Sequence, residues 1–353
     1  MSASSDKPVQ LHTSPHLHQP LTVEKIMRHV VYAMLPICVW SVYQFGLSVL
    51  ALLIVCTTVC IGTEHLICRW SGKPSTVNDW SAAITGILLA LILPPGFPIW
   101  MAVVSAVFGM AVGKMFWGGL GFNVMNPALV GRAFAQAAFT VPMTTWVPSM
   151  APGRFTQFIP STWTPPLMVP RPITQWLEQV AVDGFTGATP LALMKYNQES
   201  TETLALLTGT ITGSAGETSA LLILLGGLYL IARKMMDWRI PVSILGSAFI
   251  LSTIFYWVDP AVYPSPLFTL FAGGLMLGAV FMASDMVGSP ETAKGAWIYG
   301  TLIGVLTVII RLFGGLNEGV MYAILLGNAA SPLISKMTQP RKYGAIKKRE
   351  AKA

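Results

Sequence analysis

Hydrophobic residues in this chain form long runs, and short polar stretches containing Gly or Pro separate the runs. A helix needs about 20 mostly apolar residues to cross the hydrocarbon core of a bilayer. The runs form two blocks, one on each side of a polar segment at about 141–202. The pattern predicts about ten transmembrane helices, at 27–45, 46–67, 79–94, 97–116, 122–140, 217–234, 239–257, 265–284, 295–313 and 318–337.

The segments between and around these runs predict the remaining organisation. Residues 141–202 are rich in Pro, Trp and Thr and lack a clear period, which indicates irregular structure outside the bilayer core. Residues 203–216 are short and rich in Thr and Gly, and they favour a half-helix or re-entrant piece. The expected regions are a cytoplasmic tail at 1–26, five helices within 27–140, one large extracytoplasmic segment at 141–216, five helices within 217–337 and a basic tail at 338–353.

A weak internal similarity links the two membrane blocks. The Pro-rich turn at 94–98 precedes a helix with spaced glycines and a polar break at 123–127. The Pro-rich turn at 259–266 likewise precedes a Gly-spaced helix and a polar break at 284–290. Such repeats are typical of transport folds, and chance recurrence of common membrane motifs explains them equally well.

Composition supports an all-α integral membrane protein. The chain is 53% hydrophobic and 10% charged, with a mean hydropathy of +0.61, whereas soluble domains carry about 25% charged residues. The net charge of +7 does not indicate nucleic-acid binding, because the basic residues lie at helix ends and in the C-terminal tail. That tail is expected either to contact anionic lipid headgroups or to be solvated.

The distribution of Lys and Arg predicts the orientation. With the N-terminus inside, most basic residues fall on the cytoplasmic side, and the opposite side receives only Arg154, Arg171, Lys195 and Arg311. Both termini are therefore expected in the cytoplasm of a bacterium. The segment at 141–202 is expected on the periplasmic side of the inner membrane.

The sequence predicts no metal site. His12, His16 and His18 lie in a polar tail without supporting Cys or carboxylate residues. The four cysteines fall in the first two apolar runs, where we interpret them as packing residues. No nucleotide-binding loop, dinucleotide fingerprint or catalytic triad is present in the sequence, and no residue is assigned a catalytic role.

The most informative motif is Asp-Gly-Phe-Thr-Gly-Ala-Thr at 183–189, within the polar segment. It resembles the flavinylation signature D-x-x-[S/T]-G-A-[T/S], whose last hydroxyl becomes esterified to the phosphate of FMN. Gly187 and Ala188 would leave Thr189 accessible, and Asp183 and Thr186 offer polar groups for the turn or for a metal ion during transfer. The alternative is an ordinary loop in which Thr189 caps a helix that begins at Pro190.

Three further residues are candidates for a site within the membrane. Asn126 and Pro127 predict a broken helix at the membrane edge, where exposed backbone dipoles can hold an ion or cofactor. Arg132 follows about one turn inside the next span; it serves a site, snorkels or pairs with a carbonyl group. The predicted topology places the loop of Thr189 away from it, on the far side of the span. Asp285 could bind Na⁺ or relay H⁺, although a simple connecting turn explains it too.

These motifs together resemble the RnfD/NqrB family of membrane subunits. Besides residues 183–192, the segments GGLGFN at 118–123 and NPALVGRAF at 126–134 together resemble a sequence block of this family. With the ten-span layout, the likeness covers nearly the whole chain. The short N-terminal tail resembles RnfD more than NqrB.

The resemblance implies FMN on Thr189, placed there from FAD by a separate flavin transferase, and a non-covalent riboflavin that we assign to no residues. It also implies a subunit, not catalytic alone, of a translocase that couples Na⁺ or H⁺ movement to electron exchange between NAD and ferredoxin. The implied partners are other Rnf subunits, including a second subunit with covalent FMN and iron–sulfur subunits. The alternatives are an NqrB-type role in a sodium-translocating NADH:quinone oxidoreductase, or a channel or secondary transporter without redox function.

Overall fold

Each predicted apolar run contains a helix in the computed structural model, which describes residues 22–170, 172–173, 176–177, 187–217 and 219–340. Within these ranges the chain forms helices and irregular segments and no β-strand. We label the main helices α1 (Val23–Phe45), α2 (Leu47–Trp70), α3 (Ser81–Ile92), α4 (Ile99–Gly113), α5 (Pro127–Ala138), α6 (Ala220–Ala232), α7 (Arg239–Val258), α8 (Pro266–Phe271), α9 (Ala293–Phe313) and α10 (Val320–Thr338).

Five of the described helices are long and apolar enough to cross a membrane. They are α1, α2, α4 with its extension to Trp117, α7 and α9. Two shorter apolar helices, α3 and α6, pack among them. The all-helical, multi-pass architecture predicted from the sequence is therefore confirmed.

Several predicted spans are wrong in length because local chemistry interrupts the helix. Helix α3 ends at Ile92, since Leu93 is extended ahead of the two prolines that follow. Helix α5 begins only at Pro127, because the Asn126 side chain accepts a hydrogen bond from the Ala128 amide and caps the helix. At 1.5 Å per residue, a helix of 12 residues covers about 18 Å, less than the hydrocarbon core.

The predicted span at 265–284 is also broken. Helix α8 stops at Phe271, and Gly273 adopts the left-handed region with φ +65°. The chain then continues as helical turns over Leu275–Leu277 and Gly278–Met282. The first copy of the internal similarity has no such interruption, because α4 is continuous. The two similar segments therefore differ in their helical geometry.

An irregular segment lies against the end of the short helix α3. Thr203–Thr208 is helical, and the chain then runs without helix to Ser219 in the described residues. The Gly216 amide donates to the Leu91 carbonyl at 2.6 Å, and the Ala215 amide donates to the Leu93 carbonyl at 3.2 Å. Helix ends leave carbonyl groups without partners, so this segment completes the hydrogen bonding of α3.

Contacts between connecting segments define two ends of the helix bundle. At the end we call the Thr189 face, the Leu47 amide donates to the Arg154 carbonyl at 3.0 Å, and the Ile99 amide donates to the Thr162 carbonyl at 3.0 Å. At the opposite face, the Lys114 ammonium donates to the Glu64 carboxylate at 2.8 Å and to the Ser81 hydroxyl at 2.7 Å. The connections therefore alternate between the two faces.

Candidate functional site

Thr189 stands at the start of a short helical segment, Pro190–Ala192, that continues as a wider turn over Leu193–Asn197. Its backbone is extended, and its Oγ1 accepts a hydrogen bond from the Ala192 amide at 3.3 Å. The alternative interpretation, Thr189 as a helix cap, thus describes the local geometry. Only 4% of the residue is exposed. A cap uses one lone pair of the hydroxyl oxygen, so this geometry and a phosphoester at the same oxygen are compatible.

The residues just before Thr189 lie beside it. Gly187 adopts φ +67°, a conformation that glycine reaches without strain because it lacks a Cβ atom. Gly187 and Ala188 line the same cavity as Thr189. Asp183 and Thr186 lie outside the described residues.

The cavity beside Thr189, which we call the Thr189 cavity, has a volume of about 330 Å³. Small-molecule sites typically begin at about 300 Å³. Its wall combines three aromatic side chains with an ion pair. The aromatic residues are Trp146, Tyr196 and Tyr322, and the charged residues are Arg132 and Glu318. A planar aromatic ligand with polar edges suits such a lining.

Arg132 is buried, with 6% of the residue exposed, and it does not snorkel to solvent. Its Nη2 contacts the Glu318 carboxylate, and its Nη1 lies 3.8 Å from Oε1 of Glu217. The expectation that the Thr189 loop lies away from Arg132 is wrong, because both residues line one cavity. Arg132, on the short helix α5, and the chain from Gly187 to Thr189 line this cavity together.

A second buried arginine, Arg311, binds backbone carbonyl groups at the break after α8. Arg311 of α9 donates to the carbonyl oxygens of Thr269 at 2.7 Å and Ala272 at 2.9 Å, at the broken end of α8. A cation is favourable there because a helix C-terminus carries partial negative charge. Lys195 in turn donates to carbonyl groups at the end of α9. Partial burial lowers the pKa of the Lys195 ammonium below its usual range.

Sequence reasoning missed Glu217, Glu318 and the roles of Arg311 and Lys195. Glu217, Glu318 and Arg311 are each an isolated charge in apolar or Gly-rich surroundings. That isolation was a usable signal, because charges in such segments are usually paired. Their partners are distant in sequence, however: Arg132 and Glu318 are 186 positions apart.

Asn126 and Asp285 belong to a different cavity. Both line a space of about 80 Å³ near the opposite face, together with Lys114 and Asn123. Asn126 Nδ2 also donates to the Met282 carbonyl at 3.2 Å, which joins the start of α5 to the broken span. The three membrane candidates therefore divide into a pair, Asn126 with Asp285, and Arg132 in the Thr189 cavity.

The side chains of the Thr189 cavity fit a flavin in their chemistry. Nε of Arg132, Oδ1 of Asn317 and Oε1 of Glu318 are buried and lack a hydrogen-bond partner among the described residues. Buried polar atoms are normally paired, so these atoms offer both donor and acceptor positions to a ligand. The isoalloxazine ring of a flavin carries acceptors and a donor at one edge and an aromatic face. In the described part of the chain, no group of three His, Cys, Asp or Glu residues is placed to hold a metal ion.

Comparison with known proteins supports a single family. The model of the NQR2, RnfD, RnfE family matches residues 10–344. The chain is 42% identical over 346 residues to the D subunit of the Na⁺-translocating ferredoxin:NAD⁺ oxidoreductase complex of Acetobacterium woodii, with 97% of each chain covered. It is 40% identical to the D subunit of the proton-translocating ferredoxin:NAD⁺ oxidoreductase complex of Clostridium ljungdahlii, over 94% of this chain and 95% of that one. It is 36% identical to the D subunit of the ion-translocating oxidoreductase complex of Alcanivorax borkumensis, over 94% and 96%.

Proposed function

This chain belongs to the NQR2, RnfD, RnfE family, and on that premise we propose that it is the D-type membrane subunit of an ion-translocating, Rnf-type electron transport complex. The names of relatives aligned over nearly their whole length support this assignment. Other subunits of the complex react with NAD and with ferredoxin, and this chain relays electrons between those subunits. The electron transfer drives Na⁺ or H⁺ across the membrane. Two similar relatives differ in the ion that their names give, so the coupling ion stays open.

We further propose that Thr189 carries FMN through a phosphoester bond. The observation that supports this most directly is the position of Thr189 in the wall of a cavity that also holds Arg132, Glu318 and three aromatic residues. A flavin transferase would form the bond between the threonine oxygen and the FMN phosphorus of FAD, with AMP leaving. The bound flavin supplies the one-electron redox chemistry.

The residues of this chain have separate roles in that proposal. Thr189 is an attachment point and takes no part in the redox reaction. Trp146, Tyr196 and Tyr322 provide aromatic surfaces for the ring system of the flavin. The guanidinium group of Arg132 places positive charge at the wall, where a negative charge on the ligand is stabilised. Lys195 anchors the segment that carries Thr189, residues 187–209, to α9; we call it the attachment segment.

The proposed surroundings follow from the charge distribution and the family. The chain crosses the bacterial inner membrane, with both termini in the cytoplasm and Thr189 on the periplasmic side. Its partners are the other Rnf subunits, including a second subunit with covalent FMN and iron–sulfur subunits. A non-covalent riboflavin remains part of the proposal without assigned residues.

In-gel fluorescence tests the attachment. The chain is produced together with a flavin transferase, denatured, separated by electrophoresis and viewed under ultraviolet light. We expect a fluorescent band for the wild type, loss of the band in Thr189→Ala and retention in Thr189→Ser, which keeps a hydroxyl group. Thr201→Ala, in the same segment, serves as the control and should keep the band. A band that persists in Thr189→Ala would contradict the assignment, and no band in the wild type would leave the transporter alternative in place.

A further inference from the structure

Glu217 lies where several interrupted pieces of chain meet. The preceding residue, Gly216, donates to the Leu91 carbonyl at the end of α3. A methyl group added to Gly274, in the break after α8, would lie 3.0 Å from Oε1 of Glu217, and one added to Gly213 would lie 3.2 Å from Oε2. Only 4% of Glu217 is exposed. In membrane transport proteins, sites for coupling ions lie at such breaks near the middle of the bilayer.

The Glu217 carboxyl group makes few hydrogen bonds for a group that is so deeply buried. Oε2 accepts a hydrogen bond from the Ser214 amide at 3.4 Å, and Oε1 has no partner in the described ranges. Nη1 of Arg132 is 3.8 Å away, beyond hydrogen-bonding distance. The other amino group of Arg132 is occupied by Glu318. An ionised carboxylate with so little compensation is costly to bury, so a proton on Oε1 would cost little.

In the described residues, the charged groups around Glu217 come from α5, α9 and the loop before α10. Arg132 of α5 and Glu318 of the loop before α10 stand between it and the Thr189 cavity. Arg311 of α9 directs its guanidinium group to the carbonyl groups of Thr269 and Ala272, and Lys195 caps the end of α9. The formal charges of Arg132, Arg311, Glu217 and Glu318 cancel, and Lys195 adds one positive charge at the end of α9. An electron added in the cavity upsets this balance, and charge imbalance is costly at low dielectric constant.

We propose that Glu217 binds a proton when the flavin in the Thr189 cavity is reduced. This inference rests on the proposed function. One electron passes to the flavin from a reduced flavin or iron–sulfur centre of a partner subunit, which is thereby oxidised. One proton from a hydronium ion of the solvent, which leaves a water molecule, forms an O–H bond at Oε1 of Glu217. The net charge of the region then stays unchanged. Arg132 is a positioning residue in this scheme, because it joins the cavity wall to the Glu217 carboxylate.

Redox-induced infrared difference spectroscopy on the purified, assembled complex tests the proposal. Reduction should produce a band in the carboxylic-acid region that shifts when glutamate side chains carry ¹³C. The band should disappear in Glu217→Gln and in Thr189→Ala, which lacks the flavin. It should remain in Glu199→Gln, an exposed glutamate of the attachment segment. If Glu217→Gln fails to assemble, Gly274→Ala should still shift the band, because its new methyl group would press on Oε1.

A potentiometric titration gives a second readout. One proton bound per electron changes the reduction equilibrium tenfold per pH unit, which is about 59 mV for a one-electron couple. In Glu217→Gln, the reduction potential of the Thr189-linked flavin should depend on pH less steeply than in the wild type, by up to about 59 mV per pH unit. Two infrared results overturn the inference: no labelled glutamate band in the wild type, or an unchanged band in Glu217→Gln, Thr189→Ala or Gly274→Ala. If the wild-type chain still shows its fluorescent flavin band, the proposed flavin attachment is unaffected by either result. No flavin band in the wild type overturns the attachment and this inference together.

Discussion

The Lys195 ammonium nitrogen lies 3.1 Å from the backbone carbonyl oxygen of Arg311 and donates a hydrogen bond to it. The same ammonium group also donates to the Gly314 and Leu316 carbonyls just beyond the end of α9. The side chain of Arg311 extends the other way, to the broken end of α8. The segment that begins at Thr189 is thereby connected through α9 to the break beside Glu217.

Lys195→Met should loosen the segment that carries Thr189. Hydrogen bonds to charged groups contribute about 1.5–3 kcal/mol each when buried, and partial exposure reduces this value. We expect faster cleavage by a protease in the segment 187–209 and a less uniform flavin fluorescence. Limited proteolysis in detergent measures the first effect. Lys73→Met, an exposed lysine at the opposite face, is the control and should leave the cleavage rate unchanged. Equal rates in the two variants would show that Lys195 is not an anchor.

Arg132→Met should abolish electron transfer through the assembled complex and also weaken the band at Thr189. The substitution leaves Glu318 and Glu217 without their shared cation, and breaking a buried pair costs about 3–5 kcal/mol. Arg132→Lys should be partly active, because lysine lacks the planar fork of donors. Turnover assays and in-gel fluorescence measure the two effects. Adding Glu318→Gln to Arg132→Met should recover folded protein, and normal turnover in Arg132→Met would remove this residue from the site.

The buried pair of Lys114 and Glu64 should stabilise the opposite face. Lys114 is 2% exposed and Glu64 is fully buried, and Ser81 accepts a further hydrogen bond from the lysine. Lys114→Met should lower thermal stability, at a cost of about 3–5 kcal/mol, because it leaves Glu64 unpaired. The double variant Lys114→Met with Glu64→Gln should recover most of the loss. Thermal denaturation in detergent measures both, and additive effects in the double variant would argue against a direct interaction.

Labelling of single cysteines should establish which face is periplasmic. In a background without the four native cysteines, a cysteine at Gln198 should react with an impermeant maleimide added to intact cells. A cysteine at Gly344 in the basic tail should react only after lysis. The expected result follows from the concentration of Lys and Arg at the opposite face and in the tail. The reverse pattern would place Thr189 in the cytoplasm.

The sequence by itself determined the helical, multi-pass character of the chain and the family to which it belongs. Long apolar runs require backbone hydrogen bonds to be satisfied within each segment, so they become helices whatever their neighbours are. One local cap was also predicted, as the alternative interpretation of Thr189 before Pro190, whereas the cap at Asn126 was read only as a break within the predicted span 122–140. The exact lengths of the helices were harder to predict from the sequence. The break at Gly273, for example, depends on contacts with other segments, such as the hydrogen bond from Arg311 to the Ala272 carbonyl.

Only the tertiary structure decided which charges meet. Arg132, Glu217 and Glu318 belong to three distant parts of the chain, and nothing in the local sequence of one specifies the others. Their pairing follows from the packing of short helices, which brings the middle of α5 next to the segment before α6 and the loop before α10. Burial then requires opposite charges to lie together, because an unpaired charge in an apolar interior is too costly. The same packing placed Thr189 and Arg132 in one cavity and separated Arg132 from Asp285.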